Sequence, residues 1–570
     1  MTNLEIAWVF REIADLLELA EDNPFKVRAY RKAAKAVFHL SREVAELWRE
    51  GSLLEVPGIG KNLAAKVEEL LQTGQCSFLE RLKETVPPGL RDILTIPGIG
   101  AKSVRTIHQV LGITTLSELE LAAKDKKIRH LPGMGSKTEL AILRGIDMLK
   151  SHQGAALLGI ALPLAEQVVG DLRVLPEVER AEITGSVRRS KEMVGDVDIL
   201  VASSQPAVVM QVFAKHPQVK EVLAQGTDRT RAITWLGLQL DLLVVPPGSF
   251  GSAWHHRTGS SQHNRRLQER AQGMGLKLNE RGLFSKEDGE GLPVGGEEDI
   301  YQRLGLAFVP PELREDRGEL EAAANGELPH LVSMADIRGD LHMHTNWSDG
   351  VNTLPEMVEA ARRRGYEYIA VTDHSRSLSI ANGLSLERLV EQRGVINRLN
   401  ENMEDFRVLA GVEVDILADG RLDYPDEVLE LMDLVIASVH TGFRMDGERM
   451  TARVEQAVKN PHVDILAHPT GRILGRRNAY EIDLERIMEL AASTGTWLEI
   501  NASPDRLDLD DMHVRTAKDM GIPIAINTDA HDVVRLAEMR YGVLTGRRGW
   551  LEKGDVVNTW SLEEVMRRMR

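Results

Sequence analysis

The spacing of apolar positions changes character along this chain. Over residues 1–150 it is helical, beginning with MTNLEIAWVFREIADLLELAED, an amphipathic helix carrying acids throughout. Short glycine-punctuated turns separate the helical stretches. Residues 155–250 open as a helix and continue as strands: AEITGS, DVDILVAS, RAITWLG and LQLDLLVVP. Residues 250–310 mix helix and short strands. The stretch 309–336 is rich in proline and charge at its start, has no long apolar pattern, and reads as a linker. From 338 onward β-like runs alternate with amphipathic helices such as LPEMVEAARRRG and LERIMELAASTG, the pattern of a parallel barrel or wound sheet.

At 570 residues the chain exceeds one core, and length suggests about three to five domains. No apolar run approaches the roughly 20 residues of a membrane span, and the acidic first helix lacks the basic region of a signal peptide. The lone Cys76 excludes internal disulfides and fits a reducing cytoplasm. The formal charge of −16 argues at first against nucleic acid. Residues 1–150 are nevertheless close to balanced, with basic clusters at Lys26–Lys35 and Lys124–Arg129, and local patches decide phosphate contacts.

The β-like runs of the last third end in metal-ligating residues: RGDLHMH, YIAVTDH, VLAGVE, LVIASVH, VDILAH and IAINTDAH. The candidates are His342, His344, Asp349, His374, Glu413, His440, His468, Asp529 and His531. A barrel gathers ligands in this way at the carboxyl ends of its strands. Any single histidine in the set reads as an ordinary core or surface residue; nine together do not. Imidazoles with carboxylates favour Zn²⁺, Mn²⁺ or Fe over Ca²⁺. Nine ligands exceed one ion, so two or three are expected, an arrangement used to hydrolyse phosphate esters.

In the helical third one unit recurs: Val56-Pro-Gly-Ile-Gly60, Ile96-Pro-Gly-Ile-Gly100 and Leu131-Pro-Gly-Met-Gly135, each followed by a lysine, Lys61, Lys102 or Lys137. Such a turn before a helix presents successive backbone N–H groups to a phosphate, and its glycines permit both the turn and the approach. One copy reads as a plain helix-to-helix turn; three favour phosphate binding. In TGSVRRSKEMVGDVDILV (184–201), Asp196 and Asp198 alternate on one face of a strand. Two such carboxylates repel unless a cation lies between them. Asp241, in LQLDLLVVP, is a third on a plausible neighbour, and the set can hold two Mg²⁺ around a triphosphate. Gly185-Ser186 with Arg188-Arg189 form a turn suited to phosphates.

The GS-x₁₀-DVD pattern resembles the nucleotidyltransferase signature, and with the hairpins it resembles a family X DNA polymerase of the β type over residues 1–315. The HxH, DH, E, H, H and DAH groups resemble a PHP (polymerase and histidinol phosphatase) domain. The order of motifs is that of a bacterial or archaeal family X polymerase with a fused PHP domain. The resemblance implies a multidomain chain: α-helical helix-hairpin-helix domains, an α+β palm and thumb, and an α/β PHP barrel of distorted TIM-like form. The expected boundaries are 1–80 lyase-like, 81–152 fingers, 153–246 palm, 247–313 thumb, 314–336 linker and 337–570 PHP.

The resemblance implies metal ligation by Asp196, Asp198 and Asp241, with Asp241 taking the proton from, or polarising, the primer 3′-OH. It assigns Gly185, Ser186, Arg189 and Gly195 to the incoming triphosphate, and Gly259, Ser260 and Asn264 to sugar and base. The chain departs from the family at His256-Arg257, where an aromatic pair associated with excluding ribonucleotides is common. Gly58, Gly60, Lys61, Gly98, Gly100, Lys102, Gly133 and Gly135 would contact DNA. Lys66 falls at the Schiff-base position; its other reading is a phosphate contact on a solvated helix face. Lys26 and Lys61 would assist it or contact phosphate, while Phe25 and Asn62 depart from the polar or basic residues of the β-type enzymes. Asn501, Arg444 and Arg472 are further candidates for substrate phosphate at the PHP site; His462 and His513 are left as non-ligands.

The expected activity is template-directed filling of short gaps in repair, with a metal-dependent 3′→5′ exonuclease, or a 3′-phosphatase or AP endonuclease, in the PHP domain. Expected cofactors are Mg²⁺ or Mn²⁺ in the palm, two or three Zn²⁺, Mn²⁺ or Fe ions in the PHP domain, and Na⁺ or K⁺ at the hairpins. Expected partners are gapped or primer–template DNA and dNTPs, for a cytoplasmic monomer with no membrane contact. The alternatives are a phosphatase of small esters tethered by the front half, and a DNA-end-binding protein whose metals only stabilise the fold.

Overall fold

The computed structural model describes residues 3–569, apart from 21, 39, 41, 43, 57, 95, 97, 98 and 152–154. The hairpin residue Gly98 lies outside the described residues. The chain divides into two compact units, one comprising residues 1–153 with Gly475–Arg477 and the other Gly154–Leu474 with Asn478–Arg570.

The first unit is helical, and its core is built from the apolar stripes seen in the sequence, among them Ile6, Phe10, Ile13 and Leu17 of helix Asn3–Leu19. Gly60 and Gly100 cap the helices Lys61–Thr73 and Ala101–Leu111. The three hairpin copies close with the same turn bond: Ile59 N–H to Val56 O at 3.0 Å, Ile99 to Ile96 at 3.2 Å and Met134 to Leu131 at 3.0 Å. Gly58 and Gly133 have φ of +96° and +74°, a region glycine enters without steric cost.

In the second unit the palm is a five-stranded sheet ordered Arg180–Ile183, Asp196–Ala202, Gln239–Val245, Arg229–Thr234, Val219–Gln225. Asp196–Ala202 and Gln239–Val245 run parallel, with Asp198 opposite Asp241, and the other neighbours are antiparallel. Helix Leu158–Arg173 buries Ala161, Leu164, Ala165, Val168 and Leu172 against this sheet, a stripe at helical spacing. Two helices, Phe250–Thr258 and Ser261–Gly273, and a three-stranded antiparallel sheet follow as the thumb.

The last third is a seven-stranded, all-parallel sheet with strands in chain order: Gly339–Asp340, Tyr368–Val371, Arg407–Asp415, Leu434–Ser438, Ile465–Leu466, Trp497–Asn501 and Ile524–Asn527. A parallel bridge between Met343 and Ala530 joins its two edges, so the sheet is a nearly closed barrel. The strands are buried along their length, as a sheet covered on both faces requires.

Palm and barrel share apolar core. Leu507 and Tyr541, from the last third, pack into the palm cluster. Leu507 is fully buried, a contribution of about 1.5–3 kcal/mol. The stretch 314–336, expected as a linker, is folded. Arg314 is fully buried, donating to Glu297 Oε1 at 2.5 Å and Val309 O at 2.9 Å. Leu320, Ala322 and Ala323 of helix Glu319–Asn325 join Trp550 in the thumb core. The apolar pattern here is too short to stand out in the sequence, and its partners lie far along the chain.

Candidate functional site

The palm carboxylates Asp196, Asp198 and Asp241 each offer an oxygen within 4.8 Å of the others. The parallel register sets Asp198 beside Asp241, and the alternation of the strand puts Asp196 on the same face. Burial, with Asp198 and Asp241 as like charges, raises the pKa of Asp196. Two arginines hold part of this charge. Arg257 Nη2 lies 2.5 Å from Asp198 Oδ1, and Arg231 grips Asp241 with Nε to Oδ1 at 3.0 Å and Nη2 to Oδ2 at 3.3 Å. Arg257 thus turns from the departure noted at His256-Arg257 onto a carboxylate of the palm triad.

Gly185, with φ +64°, opens the short helix Gly185–Arg188 against the carboxylates; a Cβ there would lie 2.2 Å from Asp198 Oδ2. Ser186 is half-buried beside it, and Gly195 is exposed just ahead of Asp196. Both arginines of the turn are engaged. Arg188 pairs with Glu297 and lies 3.6 Å over the Trp254 ring. Arg189 donates to Glu315 Oε1 at 2.9 Å and Thr258 O at 2.7 Å. Downstream, the Ser260 hydroxyl caps helix Ser261–Gly273 by accepting from His263 N–H. Asn264 Nδ2 donates to His256 O at 2.6 Å and Gly259 O at 3.2 Å, while its Oδ1 is buried without a partner. A Cβ on Gly259 would lie 2.5 Å from that Oδ1 and would displace the Asn264 side chain.

All nine predicted ligands of the barrel converge. Three groups form: His344, Asp349, His374 and His531; His342, His344 and Asp529; and His374, Glu413 and His440. His468 Nε2 lies 3.1 Å from Glu413 Oε1. Glu413 Oε2 also has His374 Nδ1 at 2.7 Å, and His440 Nε2 lies 3.3 Å from Oε1. Asp529 Oδ1 is 3.1 Å from His344 Nε2, and Asp349 Oδ1 is 3.3 Å from His531 Nε2. His468 and Asp529 hold positive φ of +29° and +51°, conformations retained where the surroundings over-determine them.

The donor set fits divalent cations. His344 Nδ1 is buried without a hydrogen bond, and His374 Nδ1 and Glu413 Oε2, though 2.7 Å apart, are not aligned to form one. Burial, with His531 and His374 alongside, pushes His344 down to about 3. Against the effect of burial, Glu413 and Asp415 push His440 up to about 10. Burial also opposes ionisation of Glu413, yet His440, His374 and His342 hold its carboxyl well below the usual range. Nitrogen and carboxylate donors at this density suit divalent metal ions.

Sequence reasoning missed the carboxylates that orient these ligands. Glu499 Oε1 accepts from His342 Nδ1 at 2.7 Å, and its Oε2 accepts from His468 N–H at 2.8 Å. Asp415 Oδ1 lies 2.6 Å from His440 Nδ1. Asp373 gathers Thr345, Ser348 and Gln392 and so shapes the loop carrying Asp349. Glu499 and Asp373 each stand in a run that ends in a polar residue, LEIN and VTDH, the one local signal available. Asn501 donates to Asp529 Oδ2 at 3.0 Å. Arg444 is exposed, whereas Arg472 is taken by Glu192, Arg506 O and Leu507 O. His462 and His513 are outside the cluster; His513 pairs with Asp510 at 2.7 Å.

In the helical unit, Lys61 and Lys102 are exposed on the first turns of the helices that Gly60 and Gly100 cap, and Gly135 directly precedes helix Ser136–Ser151. Lys32 lies along Gly58, where a Cβ would be 3.3 Å from its Cγ. Lys66 is half-buried; its Nζ donates to Asn62 O at 3.3 Å and sits 5.0 Å over the Phe78 ring.

Comparison with known proteins follows the same divisions. Residues 1–76 match a helix-hairpin-helix domain and 90–147 a SAM-like helix-hairpin-helix tandem. Residues 253–315 match the DNA polymerase beta thumb, and 340–503 the PHP domain. The chain is 39% identical over 567 residues, 99% of both chains, to a DNA polymerase/3′-5′ exonuclease PolX of Bacillus subtilis strain 168. A probable phosphatase of Thermoanaerobacter sp. strain X514 is 35% identical over 213 residues, 35% of this chain and 82% of that protein. One of Syntrophotalea carbinolica is 29% identical over 212 residues, 35% of this chain and 83% of that protein.

Proposed function

The chain belongs to the family X DNA polymerases that carry a PHP domain, and from that membership we propose a repair enzyme that fills short gaps in DNA and trims 3′ ends. One observation carries the reading: a palm carboxylate triad and an intact nine-ligand cluster stand in the same folded unit of one chain. A scaffold whose metals only stabilised the fold has no use for two complete sets.

In the palm, Asp196, Asp198 and Asp241 would hold Mg²⁺ or Mn²⁺, and the nine barrel residues would hold Zn²⁺, Mn²⁺ or Fe. The ions supply charge stabilisation on phosphoryl oxygens and a reactive water at neutral pH. The chain's own groups do the rest. Asp241 accepts the proton of the primer 3′-OH as that oxygen attacks the α-phosphate of a dNTP, breaking the α–β phosphoanhydride bond and releasing pyrophosphate. The turn at Gly185-Ser186 presents backbone N–H groups to the triphosphate, and Gly195 leaves room ahead of the carboxylates. Gly259 and the amide of Asn264 shape the seat for sugar and base. The hairpins of the helical unit, with Lys61, Lys66 and Lys102, grip backbone phosphates of gapped DNA without reading sequence, with Na⁺ or K⁺ completing the contact. The enzyme is read as a cytoplasmic monomer; no helix among the described residues is long and apolar enough to cross a membrane.

A second reading of the barrel site is removal of a terminal 3′-phosphate, favoured by the similarity of this third of the chain to phosphatases. A gapped duplex separates the activities. Asp196→Ala with Asp198→Ala abolishes primer extension and keeps nucleotide release. His344→Ala with His374→Ala does the reverse. Extension by the first double variant sinks the palm assignment, and undiminished 3′ degradation by the second sinks the barrel assignment. Release of inorganic phosphate from a 3′-phosphorylated duplex tests the second reading.

A further inference from the structure

Of the arginines that follow the strand ends of the barrel, four differ instructively in what holds them. Arg472 is occupied by Glu192 and two carbonyls. Arg535 is occupied by Glu538 and the Ser503 hydroxyl. Arg444 is exposed. Arg506 is different: its side chain is only 21% exposed, its Nε lies 3.9 Å from Asp529 Oδ2, and it makes no side-chain hydrogen bond among the described residues. Asp529 does not need it, since Asn501 already donates to the same oxygen at 3.0 Å. The guanidinium donors, 21% exposed as a side chain, keep access to solvent and are free to take an anionic acceptor, and they stand at the rim of a cluster suited to phosphate chemistry.

We propose that Arg506 is the residue that receives the phosphate of the DNA 3′-terminal nucleotide at the barrel site, held in position by the palm. This rests on the reading of that site as an exonuclease. A planar fork of donors beside a ligand carboxylate matches two oxygens of a phosphodiester, and its charge offsets the negative charge that grows in the transition state.

The surrounding loop is built to hold the side chain still. Arg506 N–H donates to Ser503 O, and Arg506 O accepts from Arg472 Nε at 2.9 Å. On either side of it the chain is anchored in the palm. A Cβ on Gly159 would lie 2.5 Å from Pro504 Cβ, and fully buried Leu507 is part of the palm core. Leu507 also carries φ +44°, which turns the chain so that Leu507 enters the palm while Arg506 stays beside Asp529. The palm therefore supplies a wall of the barrel's substrate site.

The test uses the full chain with Asp196→Ala and Asp198→Ala, so that the palm neither extends nor binds nucleotide. Arg506→Ala is added, with metal content measured alongside. Nucleotide release from a 3′ end falls about 100-fold while bound metal stays at the parent level. Thymidine 5′-monophosphate, the product-like probe, binds at least about tenfold more weakly by calorimetric titration, as loss of a charged hydrogen-bond donor requires. Release within about threefold of the parent overturns the proposal, as does loss of metal in step with loss of activity, which would make Arg506 a prop for Asp529. If the parent releases no nucleotide, the exonuclease reading fails by itself; the binding comparison then still decides Arg506, and equal binding overturns it.

Discussion

Arg472 of the barrel reaches Glu192 of the palm, with Nη2 2.5 Å from Glu192 Oε2, across 280 residues of sequence. The same guanidinium donates to the carbonyls of Arg506 and Leu507. An arginine shortly after a metal ligand reads in sequence as a phosphate contact. Its planar fork instead joins two catalytic regions, and Arg548 adds a second tie by donating to Arg189 O at 2.6 Å and Glu315 Oε1 at 3.1 Å.

Replacing Arg472 with Ala leaves Glu192 and two carbonyls without their donor. Losing charged hydrogen bonds of this kind costs about 1–3 kcal/mol. Calorimetry of the full chain is expected to show the palm–barrel transition moving down by a few degrees. Arg472→Lys recovers little, because an ammonium cannot serve the carboxylate and both carbonyls at once. An unchanged transition in Arg472→Ala would remove the structural role.

Gly185→Ala places a methyl where Asp198 Oδ2 stands, 2.2 Å from the new Cβ, at a φ of +64°. The carboxylate must move. A displacement of about 1 Å is enough to cost roughly 100-fold, so primer extension falls by that order while 3′ nucleotide release is retained. Single-nucleotide incorporation and nuclease assays on one preparation check both halves.

Arg231 holds Asp241 by two bonds. Arg231→Ala frees the carboxylate proposed to receive the primer proton, and loss of such an orienting partner lowers activity about 10- to 100-fold. The deficit is expected in kcat more than in the apparent affinity for dNTP, which steady-state incorporation kinetics separate. A change confined to KM would count against an orienting role.

Glu499→Gln keeps the shape beside His342 and His468 but removes the charge. Orienting carboxylates of this kind tune metal affinity about 10- to 100-fold. Competition of the metal-loaded protein against a chelator is expected to show weaker retention in the barrel, with extension by the palm unaltered.

Much of this protein was legible before any fold was known. The nine candidate ligands that converge in the barrel, the Asp-x-Asp pair with Asp241, the three hairpins and the switch from helical to βα patterning all convey local rules. A strand end, a two-residue alternation or a Pro-Gly turn has the same meaning wherever the chain goes next. The alternation of Asp196 and Asp198 therefore set their common face, and the parallel register delivered Asp241 beside them. What the pattern could not carry was the partner of each charge. Arg189 read as a triphosphate contact and is engaged by Glu315 and Thr258; the stretch 314–336 read as a linker and is folded into the thumb. Glu499 orients His342 from 157 residues away, and Arg506 differs from Arg472 only in what the tertiary structure has left beside it. Sequence determines which chemical groups are present and which way a local element turns them. Only the packed structure decides which charges are already satisfied, because burial and distance, not order along the chain, set the energy of a charge.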